Sequence, residues 1–186
     1  MKISGKIRKL AVAMTLLAAT SASVHAATPV ENYFNRKGFA WGLDLTSSID
    51  LTGESMTSIN IEGYFGYKNS FFQALGAGAS INMAMNNSSR SYPVFAIMRT
   101  SFSTTPKLCF FELKAGVSFN DLYSYNKQTG LYIEPAIGIR LASGRSWSSH
   151  FTLGYKFITR KDFAYEDGIY KCPDLSMASI GIGISF

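Results

Sequence analysis

Few residues of this chain combine the type and the spacing that chemistry needs. His150 is followed two positions later by Thr152. A histidine near a hydroxyl, oriented by a carboxylate, is the set that activates a nucleophile for acyl transfer. On an extended strand, residues i and i+2 share a face, so both side chains would project the same way. Asp162, Glu166, Asp167 and Asp174 lie close together in sequence, and carboxylates of this kind suit calcium. They lack the alternate-residue ladder of a calcium loop, and Lys161 and Lys171 lie among them, so they read as a solvated loop. Cys109 and Cys172 have no partner ligands at close spacing, which excludes a zinc site of ordinary pattern. His150 and Thr152 then read as polar residues near a strand end. No cofactor, no metal and no enzymatic activity are expected.

The elements that would carry these residues alternate with period two, the strand period. Phe39, Trp41, Leu43 and Leu45 alternate with Ala40, Gly42, Asp44 and Thr46. The pattern recurs around 59–67, 75–83, 94–102, 110–120, 131–141, 150–157 and 178–186. That makes about eight strands of the ~9–11 residues that a tilted membrane strand requires. Long connections are expected near 47–56, 84–91, 120–129 and 158–175, and short ones near 68–70, 103–107 and 142–145. Long outer loops alternating with short periplasmic turns are the habit of outer-membrane barrels. Pro135 sits mid-strand, where it removes a ladder hydrogen bond. A bulge beside Gly138 is expected to absorb it.

The first residues read as a targeting segment. Lys2, Lys6, Arg8 and Lys9 precede the apolar run Leu10–Ala19, and Val24-His25-Ala26 offers a cleavage site after Ala26. Residues 27–37 would form a periplasmic lead-in and 38–186 the barrel. The chain holds 18 Lys+Arg against 12 Asp+Glu. With four basic residues in the leader, the remainder carries 14 against 12, a net of +2. The basic balance thus belongs largely to the leader and gives no support to nucleic-acid binding. No stretch after the leader approaches the ~18 apolar residues of a spanning helix. A membrane chain of this composition must close its backbone hydrogen bonds as a barrel.

Charge tells inside from outside. Asp44, Glu62, Arg99, Glu112, Lys114, Glu134, Arg140 and Lys156 all fall on the polar face of their strands. Four acidic and four basic residues would neutralise one another in a narrow lumen, where an unpaired charge is costly. An eight-stranded barrel is just wide enough inside for side chains to fill it. Tyr64, Tyr132 and Phe110 would complete the filling, and small residues such as Gly42, Gly138 and Gly183 would make room. An open pore is not expected.

The run Ile180, Ile182, Ile184 and Phe186 alternates with small residues and ends in an aromatic. With Glu134-Pro135-Ala136-Ile137-Gly138-Ile139-Arg140 and Tyr92-Pro93-Val94-Phe95, it resembles the small bacterial outer-membrane barrels of the OmpX/OmpA-like kind, in the porin-like superfamily. The resemblance is one of pattern across the chain after the leader. It implies an eight-stranded antiparallel up-and-down transmembrane barrel in the outer membrane. It also makes Ile180, Ile182, Ile184 and Phe186 the signal read by the barrel-assembly machinery. The lipid A deacylases have His and Ser at the spacing of His150 and Thr152; here the second residue is Thr.

This topology puts Cys109 and Cys172 at opposite ends of the barrel, beyond the ~7 Å between Cα atoms that a disulfide allows. Trp41, Tyr67, Phe71, Phe72, Tyr92, Phe102, Tyr123, Trp147 and Phe186 fit interfacial girdles. Asn86-Asn87-Ser88-Ser89 reads as turn chemistry. The partners expected are outer-membrane lipid, the assembly machinery and an extracellular partner met through four outer loops. The alternatives are a small channel, a lipid enzyme using His150, and a soluble periplasmic barrel with an apolar ligand inside.

Overall fold

The computed structural model describes residues 37–53, 56–85, 89–102, 108–122, 126–144, 146–165, 168–170 and 172–186. The leader expected at 1–26 and most of the lead-in lie outside them, as do Asn86, Asn87, Ser88, Tyr123, Glu166 and Asp167. Ten strands are described: β1 (Gly38–Asp50), β2 (Ser58–Lys68), β3 (Phe72–Ala84), β4 (Arg90–Ser101), β5 (Cys109–Leu122), β6 (Asn126–Ser143), β7 (Ser148–Ile158), β8 (Phe163–Tyr165), β9 (Gly168–Tyr170) and β10 (Leu175–Ser185). All but β8 and β9 form one closed antiparallel barrel in the order β1-β10-β7-β6-β5-β4-β3-β2. Closure abolishes free sheet edges. The barrel has the eight strands that the alternation implies.

Closure rests on β1 and β10, which pair from Gly42↔Ser185 to Asp50↔Met177. Beyond the ladder, Phe186 N donates to Trp41 O at 2.8 Å and Trp41 N to Phe186 O at 3.3 Å. The two rings stack with centroids 4.3 Å apart. Alternation therefore continues to Phe186, and the last aromatic covers the seam.

Two departures from regular alternation matter. The register of β3 on β4 shifts between Phe72 and Ala74. Gln73 and Ala74 are consequently both buried, although strict alternation would turn one of them outward. A bulge re-aims a side chain in this way. The second departure concerns Pro135. β6 is unbroken there, with Pro135 opposite Leu113 of β5. On the β7 side the ladder lapses between Ile133↔Phe157 and Ala136↔Gly154 and resumes in the same register. The expected bulge beside Gly138 is absent, since Gly138 pairs regularly with Thr152; the irregularity lies instead between Arg140 and Ala142. A proline lacks one N–H, and losing one rung does not require an extra residue.

The connections are less sharply sorted than expected. At one end lie 51–57, 85–89, 123–125 and 159–174; at the other, 69–71, 102–108 and 144–147. The link expected over 120–129 shrinks because β5 and β6 pair as far as Leu122↔Asn126. The apolar alternation fades there, but backbone pairing does not depend on apolar faces. The last long connection carries the β8–β9 hairpin, with Phe163 opposite Tyr170. In the first, Gly53 adopts φ +85°, and Asp50 caps Thr52 N at 2.8 Å and Met56 N at 3.0 Å.

Candidate functional site

The strand pleat sends the apolar residues outward. Phe39, Leu43, Phe65, Val94, Ile137 and Leu153 are exposed, with Phe65 at 59% and Ile137 at 54%. Glu62 and Lys156, each 0% exposed, point inward. The eight strand charges named above all lie inside the barrel and are buried.

Arg99 on β4 is the hub of this interior. It stands directly opposite Glu112 on β5, and its Nε donates to Glu112 Oε2 at 2.6 Å. Its Nη1 donates to Tyr64 Oη at 2.9 Å and Ser185 Oγ at 3.1 Å. Its Nη2 reaches Asp44 Oδ2 at 3.3 Å. The guanidinium also lies over the Phe110 ring, 4.8 Å from its centroid. Arginine suits this position because its fixed fork of donors serves several acceptors at once.

Asp44 and Glu62 are directly opposite one another on β1 and β2. Like charges so placed repel. Lys114 reaches between them from β5, with Nζ ion-paired to Glu62, 3.2 Å from Glu112 Oε1 and 4.0 Å from Asp44 Oδ2. Lys156 lies 3.8 Å from Glu62 Oε1 and 3.7 Å from Glu134 Oε2. Glu134 accepts from Tyr132 and, at 2.7 Å, from Ser179 Oγ. Asp44, Glu62, Glu112 and Glu134 are thus linked by ion pairs to Arg99, Lys114 and Lys156, four carboxylates against three cations. Arg140 is fastened by Gln73, with Nη2 donating to Oε1 at 2.9 Å.

His150 completes the arrangement. Its Nε2 lies 3.0 Å from Asp44 Oδ1, and its ring meets Phe110 edge to face at 5.6 Å. Thr152 is buried on the same face. The imidazole is therefore a lumen partner of Asp44, buried beneath the rim. Glycines make room as expected: a Cβ on Gly138 would run into the Phe110 ring, and one on Gly183 into Asp44 and His150.

The chain is similar to Neisserial surface protein A in its crystal structure. The TM-score is 0.53 at 14% identity, covering 79% of this chain and 94% of that one. The fold is that of the small eight-stranded outer-membrane barrels. A second solved structure, the N-terminal β-barrel domain of Pseudomonas aeruginosa OprF, gives a TM-score of 0.48 at 13% identity over 81% of this chain and 100% of that one. No protein-family model and no curated protein matches the sequence.

Within the barrel, Phe110, Tyr132 and Lys156 are each 0% exposed. Toward the long-connection end the interior turns apolar, with Met56, Ile158, Leu175 and Met177 packed in one cluster with Tyr132 and Phe95. Sequence reading missed this layer, although Ile158 continues the inward parity of Lys156, and Met177 that of Ser179. It also missed Gln73, which no alternation argument can place inside, and the role of His150. No disulfide joins Cys109 and Cys172. Cys109 starts β5 at the short-turn end, while Cys172 follows β9 at the other. Asp162 accepts Cys172 N and Asp174 accepts Arg160 N, each at 2.9 Å, so these two acids cap backbone. Among the described residues no metal-binding group of His, Cys, Asp and Glu is present.

Aromatic residues gather at the strand ends. Tyr67, Phe71 and Phe102 are exposed near the short turns, and Tyr92 toward the long connections. Trp147 closes the 144–147 turn, where its carbonyl accepts Gly144 N at 2.8 Å.

Proposed function

We propose that this protein is a non-enzymatic outer-membrane barrel whose rigid wall and filled lumen present four connections to the cell exterior. The observation that carries this reading is the inverted distribution of polarity. Charge is buried at the axis and large apolar side chains cover the wall, the arrangement that bilayer burial rewards and water does not. The leader at 1–26 would export the chain. Ile180, Ile182, Ile184 and Phe186 on the closing strand would engage the barrel-assembly machinery, and outer-membrane lipid would wet the wall. Binding to an extracellular partner would fall to the four connections, since loops on a rigid scaffold commonly carry function.

The interior weighs against the alternatives. A soluble barrel with an apolar ligand needs an apolar cavity where Arg99, Lys114 and Glu62 stand. A lipid hydrolase needs a histidine that substrate can approach, and His150 is buried against Asp44 and Phe110. A diffusion channel needs a continuous path past Tyr132, Phe110 and Lys156.

Heat-modifiability in isolated outer membranes tests the proposal. A faster-running unboiled band in the membrane fraction is expected. A protein that washes out with the soluble fraction would refute it.

A further inference from the structure

At the long-connection end the lumen opens into a small cup. Its floor and wall include Ile158, Leu175 and Met177; its polar lining includes Asn120, Ser91 and Arg160. Arg160 is 9% exposed and Asn120 5%. Arg160 Nε and Nη2, and Asn120 Nδ2, are buried with no hydrogen-bond partner.

The serine hydroxyls and asparagine carbonyls nearby already bond one another. Three Ser-x-Asn pairs line β2, β3 and β5, and in each the serine donates to the asparagine Oδ1: Ser58 to Asn60 at 2.8 Å, Ser80 to Asn82 at 2.6 Å, Ser118 to Asn120 at 2.7 Å. Ser91 and Ser118 bond one another at 2.6 Å. Asp174 Oδ1 takes the backbone N–H of Arg160, and the guanidinium Nε and Nη2 make no hydrogen bond. Asp121, the nearest carboxylate on β5, alternates to the strand's other face. The cup therefore offers donors and a positive charge over an apolar floor.

Buried donors left unpaired are destabilising, and a site of this composition is complementary to a group that only accepts. The guanidinium fork takes two oxygens of an oxyanion, and the asparagine amide takes a third. A carboxylate has only two to give. We propose that the cup binds the tetrahedral oxyanion of a phosphate or sulfate ester, held by Arg160 and Asn120. This goes beyond the surface-barrel reading and shares with it only the closed, detergent-stable barrel whose folded band the test reads.

The test uses the full chain folded in detergent micelles, with inorganic phosphate titrated against chloride at constant ionic strength. The readout is the temperature at which the fast-running band is lost. Phosphate should raise that temperature saturably, beyond the effect of chloride, and Arg160→Gln and Asn120→Ala should each weaken the response at least tenfold in apparent affinity. Without phosphate, Arg160→Gln should unfold no earlier than the parent, because it removes an unpaired cation. An equal response in parent and variants, or a parent response matching chloride, overturns the site. A second arm compares glucose 1-phosphate with micelles doped with phosphatidic acid. Tighter binding of the sugar ester assigns a soluble source, and tighter binding of doped micelles a lipid headgroup. In either arm, a response unchanged in Arg160→Gln overturns the proposal. None of these results depends on the compartment in which the protein resides.

Discussion

Replacing Arg99 with Met tests whether the lumen is held by paired charges or merely filled. Arg99 serves Glu112 at 2.6 Å, Tyr64 at 2.9 Å, Ser185 at 3.1 Å and Asp44 at 3.3 Å. Methionine keeps much of the volume and removes all four donations. Glu112 would retain Lys114 at 3.2 Å, and Asp44 would retain His150 at 3.0 Å and Lys114 at 4.0 Å. The seven linked residues already hold one more carboxylate than cation, so the variant leaves the excess at two. Breaking a buried pair by removing one partner costs about 3–5 kcal/mol, roughly two to four orders of magnitude in the folding constant. Removing both partners with apolar replacements is often neutral or stabilising. Arg99→Met/Glu112→Leu should therefore recover at least half of the loss seen in Arg99→Met. Reversible urea unfolding in lipid vesicles, followed by the fluorescence of Trp41 and Trp147, measures both. A single variant that loses less than about 1 kcal/mol, or a double variant whose losses simply add, would refute the network.

Leu43, half exposed on the outer wall at 52%, gives the complementary test: Leu43→Arg should cost about 2–4 kcal/mol for refolding into vesicles, whereas in a water-soluble barrel it would be tolerated. Gly138→Ala should lower the unboiled-band transition by overpacking against Phe110, by about 1–3 kcal/mol; Phe110→Leu in the same chain should restore part of it, and an unaffected single variant would contradict the packing. Phe186→Ala should remove the stack on Trp41 and lower stability by about 0.5–1.5 kcal/mol beyond the lost burial, read as an earlier loss of the folded band on heating.

The sequence by itself determined the strand count, the outward and inward sets and which set faces the axis. Period two splits every strand into two faces, and eight charges on one face leave one affordable interior. Residues such as Phe65 and Ile137 could be assigned outward from parity alone. One ion pair was also within reach of local reasoning once strands are paired, since Arg99 and Glu112 are opposite neighbours in register. The other contacts were not. Lys114 faces Glu134 across the adjacent strand, yet its Nζ pairs with Glu62 on the far side of the lumen. His150 reaches Asp44 only because β10 lies between β7 and β1, with glycine at position 183 between the two side chains. Gln73 enters the lumen through a register shift that no periodicity announces. Alternation is a property of one strand, whereas the partner of a buried charge is set by closure, stagger and bulges, which belong to all eight strands together.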